Sequence, residues 1–262
     1  MTEHNYPNVI ESIILAIIFF LTLLLFKVII GFFFDNIYFE SVITYFLASS
    51  LTCLFIKQKY EINILYLIRK KNNSQNWTFY LFALLGSVCT MQLSHYDPLV
   101  FILEDNLPLD ISELTSLAKP DVYVFIKAVI IAPVFEEFLF RGVILNALLK
   151  KWNPRNAIIL SALLFAIPHF DNLLGPFLYG LFIGWIYYKC NNFVLCIISH
   201  LVVNLFAFFM RLLIHSNPQI LNYVMESPNW GLSNNMFVNI TILVILVLVL
   251  LLSIKVISSK LK

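Results

Sequence analysis

The chain has 262 residues, 60% of them hydrophobic and only 12% charged, with a formal net charge of +2 and a mean hydropathy of +0.87. Globular chains carry about a quarter charged residues, so this composition excludes an ordinary water-soluble domain, a disordered chain and a nucleic-acid-binding protein. What remains is a protein that lives in a lipid bilayer.

A membrane-spanning helix needs about 20 apolar residues, and eight such runs follow one another near residues 9–34, 40–57, 77–96, 121–149, 155–170, 173–189, 192–214 and 235–257. The expected fold is therefore all-α: a polytopic membrane protein of about eight transmembrane helices, forming one membrane domain over residues 1–262 without internal repeats. The fifth and sixth runs are short and are separated only by Phe170, Asp171 and Asn172. They are read as two spans, with a re-entrant hairpin as the alternative. Residues 1–8 lack a basic n-region and the first run has no small-residue cleavage site behind it, so it is read as a retained helix. Cys53, Cys89, Cys190 and Cys196 stand singly, without C-x-x-C spacing, and read as small packing residues.

Cytoplasmic loops retain Lys and Arg, and the loops here alternate in charge. Lys57, Lys59, Arg69, Lys70 and Lys71 fall between runs two and three, Lys150, Lys151 and Arg155 between four and five, Lys189 between six and seven, and Lys255, Lys260 and Lys262 at the end. The other connections carry acids: Asp35 and Glu40, then Asp97, Glu104, Asp105, Asp110, Glu113 and Asp121 in and beside the residue 96–120 loop, then Asp171, then Glu226. Twelve of the 17 basic residues thus share one side, which predicts that both termini are cytoplasmic.

A charge near the bilayer centre costs on the order of 3 kcal/mol on insertion scales, so an intramembrane ionisable group is a functional hypothesis by default. The fourth run reads APVFEEFLFRG, and at ~1.5 Å per residue Glu136 lies roughly 20 Å from either end. Glu137 and Arg141, four residues apart with the acid first, have the favoured spacing for an intrahelical ion pair. Glu136 is turned about 100° away. Glu137 with Arg141 is accordingly read as structural and Glu136 as the reactive carboxylate, with the reverse assignment as the alternative. Pro133 lacks a donor N–H and is expected to kink this helix.

Further polar groups meet the same level. The fifth run ends FAIPHF, with Phe165 and His169 at i,i+4 spacing, and the seventh contains HLVVN, with His200 and Asn204 likewise on one face. Runs four and five turn near Asn153, from which Glu136 and His169 are 17 and 16 residues away. His200 and Asn204, about 12 and 18 Å from the start of their helix, approach the same depth. Any one of these alone would read as an interhelical hydrogen-bond partner. Together they supply a base, a second proton carrier and two oxyanion donors, an inventory that suits hydrolysis. No H-E-x-x-H is present for zinc, Gly86-Ser87 lacks a partner base, and Tyr96-Asp97 lacks a second aspartate motif. Lys27 and Lys127, near helix ends, can snorkel.

Glu136-Glu137 with Arg141, Phe165 with His169, and His200 with Asn204, in that order and flanked by Phe140, Gly142, Gly180 and Gly184, resemble the pattern of the CAAX prenyl protease type II and bacteriocin-processing (CPBP, Abi) family of intramembrane proteases. The resemblance covers about residues 121–210, the expected protease core. It implies an endopeptidase cutting a hydrophobic or membrane-anchored peptide, whether a prenylated CAAX-like, bacteriocin or signalling peptide. Glu136 and His169 would activate water, and His200 and Asn204 would stabilise the oxyanion. Relatives are often described as metalloproteases, and Glu136, His169 and His200 resemble a zinc triad, but a metal-independent glutamate mechanism with no required cofactor is favoured. The expected partners are the bilayer and a hydrophobic peptide or lipid-anchored protein. Phe, Ile, Asn and Lys usage favours a bacterial cell membrane. A non-proteolytic scaffold or bacteriocin self-immunity factor is the alternative, and a proton-coupled transporter a third reading.

Overall fold

The computed structural model describes residues 6–69, 77–93, 120–169, 173–217, 219 and 236–260. The acidic loop expected at residues 96–120 falls almost wholly outside these residues, as do Lys70, Lys71, Asp171, Glu226 and Lys262. Among the described residues there are helices and no strands: α1 (Val9–Gly31), α2 (Ile37–Tyr60), α3 (Ile64–Arg69), α4 (Trp77–Gln92), α5 (residues 122–149), α6 (Pro154–Ala166), α7 (Leu174–Cys190), α8 (Phe193–Ser216) and α9 (Met236–Lys260).

Asparagine and aspartate set many of the boundaries, because their short side chains satisfy the orphan N–H groups of a first helical turn. Asn8 caps α1 in a reciprocal box with Glu11, at 2.9 and 2.8 Å. Asn36 caps α2, Asp121 caps α5, and Asn153 caps α6 with Pro154 at its first position. Asn191 closes α7 in the left-handed conformation at φ 50°, and Asn192 receives the Leu195 N–H at the start of α8. Lys59 at the end of α2 meets Glu11 at the start of α1 at 3.2 Å, closing an antiparallel hairpin.

Each of the eight apolar runs contains a helix. Four helical segments, Val9–Gly31, Ile37–Tyr60, Phe193–Leu213 and Val238–Ser259, are long and apolar enough to cross a bilayer. The others fall short for identifiable reasons. α4, α6 and α7 have 16, 13 and 17 residues, so α6 is only about 20 Å long, and α5 carries the intramembrane charges. The fifth run extends to residue 170 in the sequence, but its helix ends at Ala166, because Pro168 has no N–H to return to Leu164.

α5 is the hub. It packs against α1, α2, α3, α6, α7 and α8, while α4 lies against α7 and α8 and carries α9 on its outer side. α5 is not a uniform helix: Val122–Val124, Ala132–Glu137 and Asn146–Leu149 are α-helical, and Phe125–Ile131 and Phe138–Leu145 are π-helical. Pro133 explains the first change. Its ring offers no N–H to the preceding turn, and the N–H of Ala132 reaches five residues back to the Lys127 carbonyl. Carbonyls in both π segments also take side-chain donors. Asn204 donates to Ala128 at 2.7 Å, Ser161 to Phe140 at 3.3 Å, and Asn146 to Arg141 and Gly142 at 3.0 and 2.9 Å.

Several buried hydroxyls are spent on their own helices. Ser12, Thr52, Ser87, Thr90 and Ser253 each donate to a carbonyl three or four residues back. The four cysteines are free thiols, three of them buried, as packing residues should be. Outward faces of α1 and α9 expose Leu21, Leu25, Val28, Leu248 and Leu251, which a lipid solvent accommodates.

α6 and α7 approach closely through glycine. A Cβ on Gly180 would stand 3.0 Å from both Cα and Cβ of Ala162, and one on Gly184 3.3 Å from Ile158. Gly180→Val should therefore cost about 1–3 kcal/mol through overpacking, read as a lower unfolding temperature in detergent. Gly31→Ala, where the nearest atom is a Glu40 carboxylate oxygen at 3.6 Å, should stay near the parent value.

Candidate active site

Glu137 has no exposed surface. Its Oε1 accepts from Arg141 Nη1 at 3.0 Å, from His200 Nδ1 at 2.9 Å and from Tyr179 at 3.3 Å. The Arg141 guanidinium is as deeply buried and lies over the rings of Phe165 and Tyr179, 4.5 and 5.5 Å from their centroids. Phe165 is the hub of this packing: Phe140, His169, Tyr179 and His200 all lie 5.2–5.9 Å from it, ring to ring. The expected Glu137–Arg141 pair is present, and it reaches further than its own helix.

Glu136 faces elsewhere. Its side chain is 13% exposed and lines a cavity of about 410 Å³ with Phe19, Phe20, Leu23, Leu24, Tyr45, Phe140, Phe165, Pro168 and His169. Tyr45 donates its hydroxyl to Glu136 Oε1 at 2.5 Å. Glu136 Oε2 stands 3.7 Å from His200 Nε2, beyond a direct hydrogen bond. His200 thus lies between the two carboxylates, with Nδ1 committed to Glu137.

His169 reaches the cavity by a different route from the one expected. It is not within α6 but three residues past its end, where its backbone N–H bonds the Ala166 carbonyl at 2.8 Å and its Nδ1 meets the Phe165 carbonyl at 3.0 Å. A carbonyl only accepts, so Nδ1 carries the proton and Nε2 is left with a lone pair. Capping the end of a helix thereby selects the tautomer that can act as a base.

The expected residues are only partly brought together. Glu136 and His169 share the cavity, and His200 adjoins Glu136 from the side of Glu137. Asn204 is turned to the backbone of α5, where one amide N–H is held by Ala128; neither it nor His200 lines the cavity. Among the described residues, no three His, Cys, Asp or Glu side chains gather as a metal-ligand set. Ser87 is buried and donates to Ala83 of its own helix, which leaves it no nucleophilic partner.

Tyr45, Tyr179 and Asn146 are absent from the sequence reading. Asn146 joins Tyr187 at 2.8 Å as well as the α5 backbone. The signal that would have found Tyr45 and Tyr179 is a phenol at mid-helix in an apolar run, which must find a partner in the membrane just as an amide or imidazole does.

With this geometry in hand, likeness to known proteins is informative. Residues 118–206 match the family described as type II CAAX prenyl endopeptidase, Rce1-like. The chain is 32% identical over 146 residues, covering 52% of this chain and 81% of its relative, to UPF0177 protein YxdF of Lactococcus lactis subsp. lactis (strain IL1403). It is also similar to YdiL of Bacillus subtilis (strain 168), whose name carries a provisional assignment as a membrane peptidase. That likeness is 33% identity over 85 residues, or 32% of this chain and 35% of YdiL. No solved structure matches the chain. This protein is an integral membrane protein and belongs to the Rce1-like family of type II CAAX prenyl endopeptidases.

Proposed function

We propose that this protein is an intramembrane endopeptidase that hydrolyses a peptide bond in a hydrophobic or membrane-anchored peptide, with Glu136 as the general base. The observation that carries this reading is the unequal state of two adjacent carboxylates. Glu137 is sealed from the cavity, with Oε1 shared by Arg141, Tyr179 and His200 and Oε2 buried without a partner among the described residues, whereas Glu136 borders a largely apolar cavity to which its carboxylate is open. Water held between Glu136 and His169 Nε2 gives up a proton to the carboxylate as its oxygen adds to the scissile carbonyl. The proposed oxyanion donors are His200 Nε2, which carries a proton in the imidazolium form because the Nδ1–H is already given to Glu137, and the second N–H of the Asn204 amide once it turns toward the cavity, which neither residue lines in this structure. The proton held by Glu136 then passes to the leaving amine as the C–N bond breaks.

The walls from Phe19, Phe20, Leu23, Leu24, Phe140 and Phe165 suit apolar side chains or a lipid anchor. The family and a Lactococcus relative support a bacterial membrane, where a bacteriocin-like or signalling peptide is the proposed substrate. The loop charges support cytoplasmic termini.

Comparing membrane and secreted peptides between wild-type and Glu136→Gln cells tests the reading. Specific products should fall by about 10²-fold or more in the variant while protein abundance is unchanged; an identical peptidome would overturn it. The same cleavage in purified protein should be insensitive to a divalent-metal chelator, since Glu136 itself takes the proton from water and no step above uses a metal. Loss on chelation with recovery on adding zinc would show a metal mechanism instead.

A further inference from the structure

The match to the family begins at residue 118, and no residue before that point takes part in a proton transfer or oxyanion contact above. The structure nevertheless places part of α1 and α2 in the site. Phe19, Phe20, Leu23 and Leu24 form one wall of the cavity, and Tyr45 makes the shortest polar contact of Glu136, at 2.5 Å. The Tyr45 ring is itself fixed, standing edge-on to Phe19 of α1 with centroids 5.9 Å apart at 86°.

We propose that Tyr45 is a positioning residue for Glu136, and that the N-terminal hairpin α1–α2 is therefore part of the catalytic apparatus. This rests on the reading of Glu136 as the base. A phenol is a far weaker acid than a carboxyl group, so the hydroxyl donates and Oε1 accepts. That bond decides which carboxylate oxygen is available: Oε1 is held by α2, and Oε2 is left for water. His200 Nε2 stands 3.7 Å from Oε2. Without Tyr45, the carboxylate is free to turn and close that gap, converting the working oxygen into an ion-pair partner of His200. Holding a base in productive orientation is worth as much as supplying it, and displacement on the scale of 1 Å can cost about 10²-fold.

Tyr45→Phe deletes the hydroxyl and retains the ring, its contact with Phe19 and the cavity wall. Wild type, Glu136→Gln and Tyr45→Phe are compared first by quantitative peptidomics of cells, then with purified protein in detergent on a synthetic copy of a peptide whose appearance depends on Glu136. The expected result is that the same products fall about 10- to 100-fold in Tyr45→Phe, with kcat lowered and KM and the unfolding temperature close to wild type. A purely structural hydroxyl would instead lower abundance or the unfolding temperature and leave kcat of the folded protein unchanged, which would overturn the proposal. Products that vanish in Glu136→Gln and persist at wild-type level in Tyr45→Phe would overturn it while leaving Glu136 as the base. If no peptide depends on Glu136, both the base and its positioning residue are refuted.

Discussion

A carboxylate without access to solvent depends on the protein around it for its partners, and Glu137 draws them all to one oxygen, Oε1, while Oε2 has none among the described residues. Desolvating one charge in a bilayer is costly enough that the compensating groups cannot be optional. They come from three helices: Arg141 from α5 itself, Tyr179 from α7 and His200 from α8. Phe165 of α6 then covers the guanidinium and touches both His169 and His200. The positions of α6, α7 and α8 around α5 are thus tied to one buried oxygen, Oε1.

The irregular winding of α5 belongs to the same design. Pro133 disturbs the bonding of the turn before the glutamates, and the π segments on either side leave carbonyls directed at other helices, where Asn204, Ser161 and Asn146 take them up. π-Helical turns commonly mark functional sites because they re-aim side chains without breaking a helix. Here one face of Ala132–Glu137 presents Glu136 to the cavity and the neighbouring face presents Glu137 to the packed interior. The glycine-mediated approach of α6 to α7 keeps Tyr179 close enough to serve both Glu137 and the aromatic cluster.

Much of this was legible in the sequence because the membrane makes polar residues conspicuous. Glu136, Glu137, Arg141, His169, His200 and Asn204 stand out in apolar runs, and helical spacing turns the two acids to different faces, Glu137 toward Arg141 and Glu136 toward the cavity. Counting residues from the turn at Asn153 also sets Glu136 and His169 at one depth, and they line one cavity. Other features depend on what single-helix spacing does not encode. The π segments alter the register of α5, Pro168 takes His169 off the end of α6, and the Asn204 amide is drawn to a carbonyl of α5. Tyr45 is invisible to the motif pattern because its partner is 91 positions away. The number of crossings is likewise not fixed by hydropathy, since α4, α6 and α7 are apolar but short.

The division of labour between the two glutamates is the centre of the account, and thermal unfolding of the purified protein in detergent reads it most directly. Glu137→Gln strands the Arg141 guanidinium in the interior and should lose on the order of 3–5 kcal/mol, with a correspondingly large fall in unfolding temperature. Glu136→Gln, at the cavity wall, should unfold near the wild-type temperature. Equal stability of wild type and Glu137→Gln, or a larger loss in Glu136→Gln than in Glu137→Gln, would contradict the assignment of Glu137 as the structural anchor and Glu136 as the reactive group.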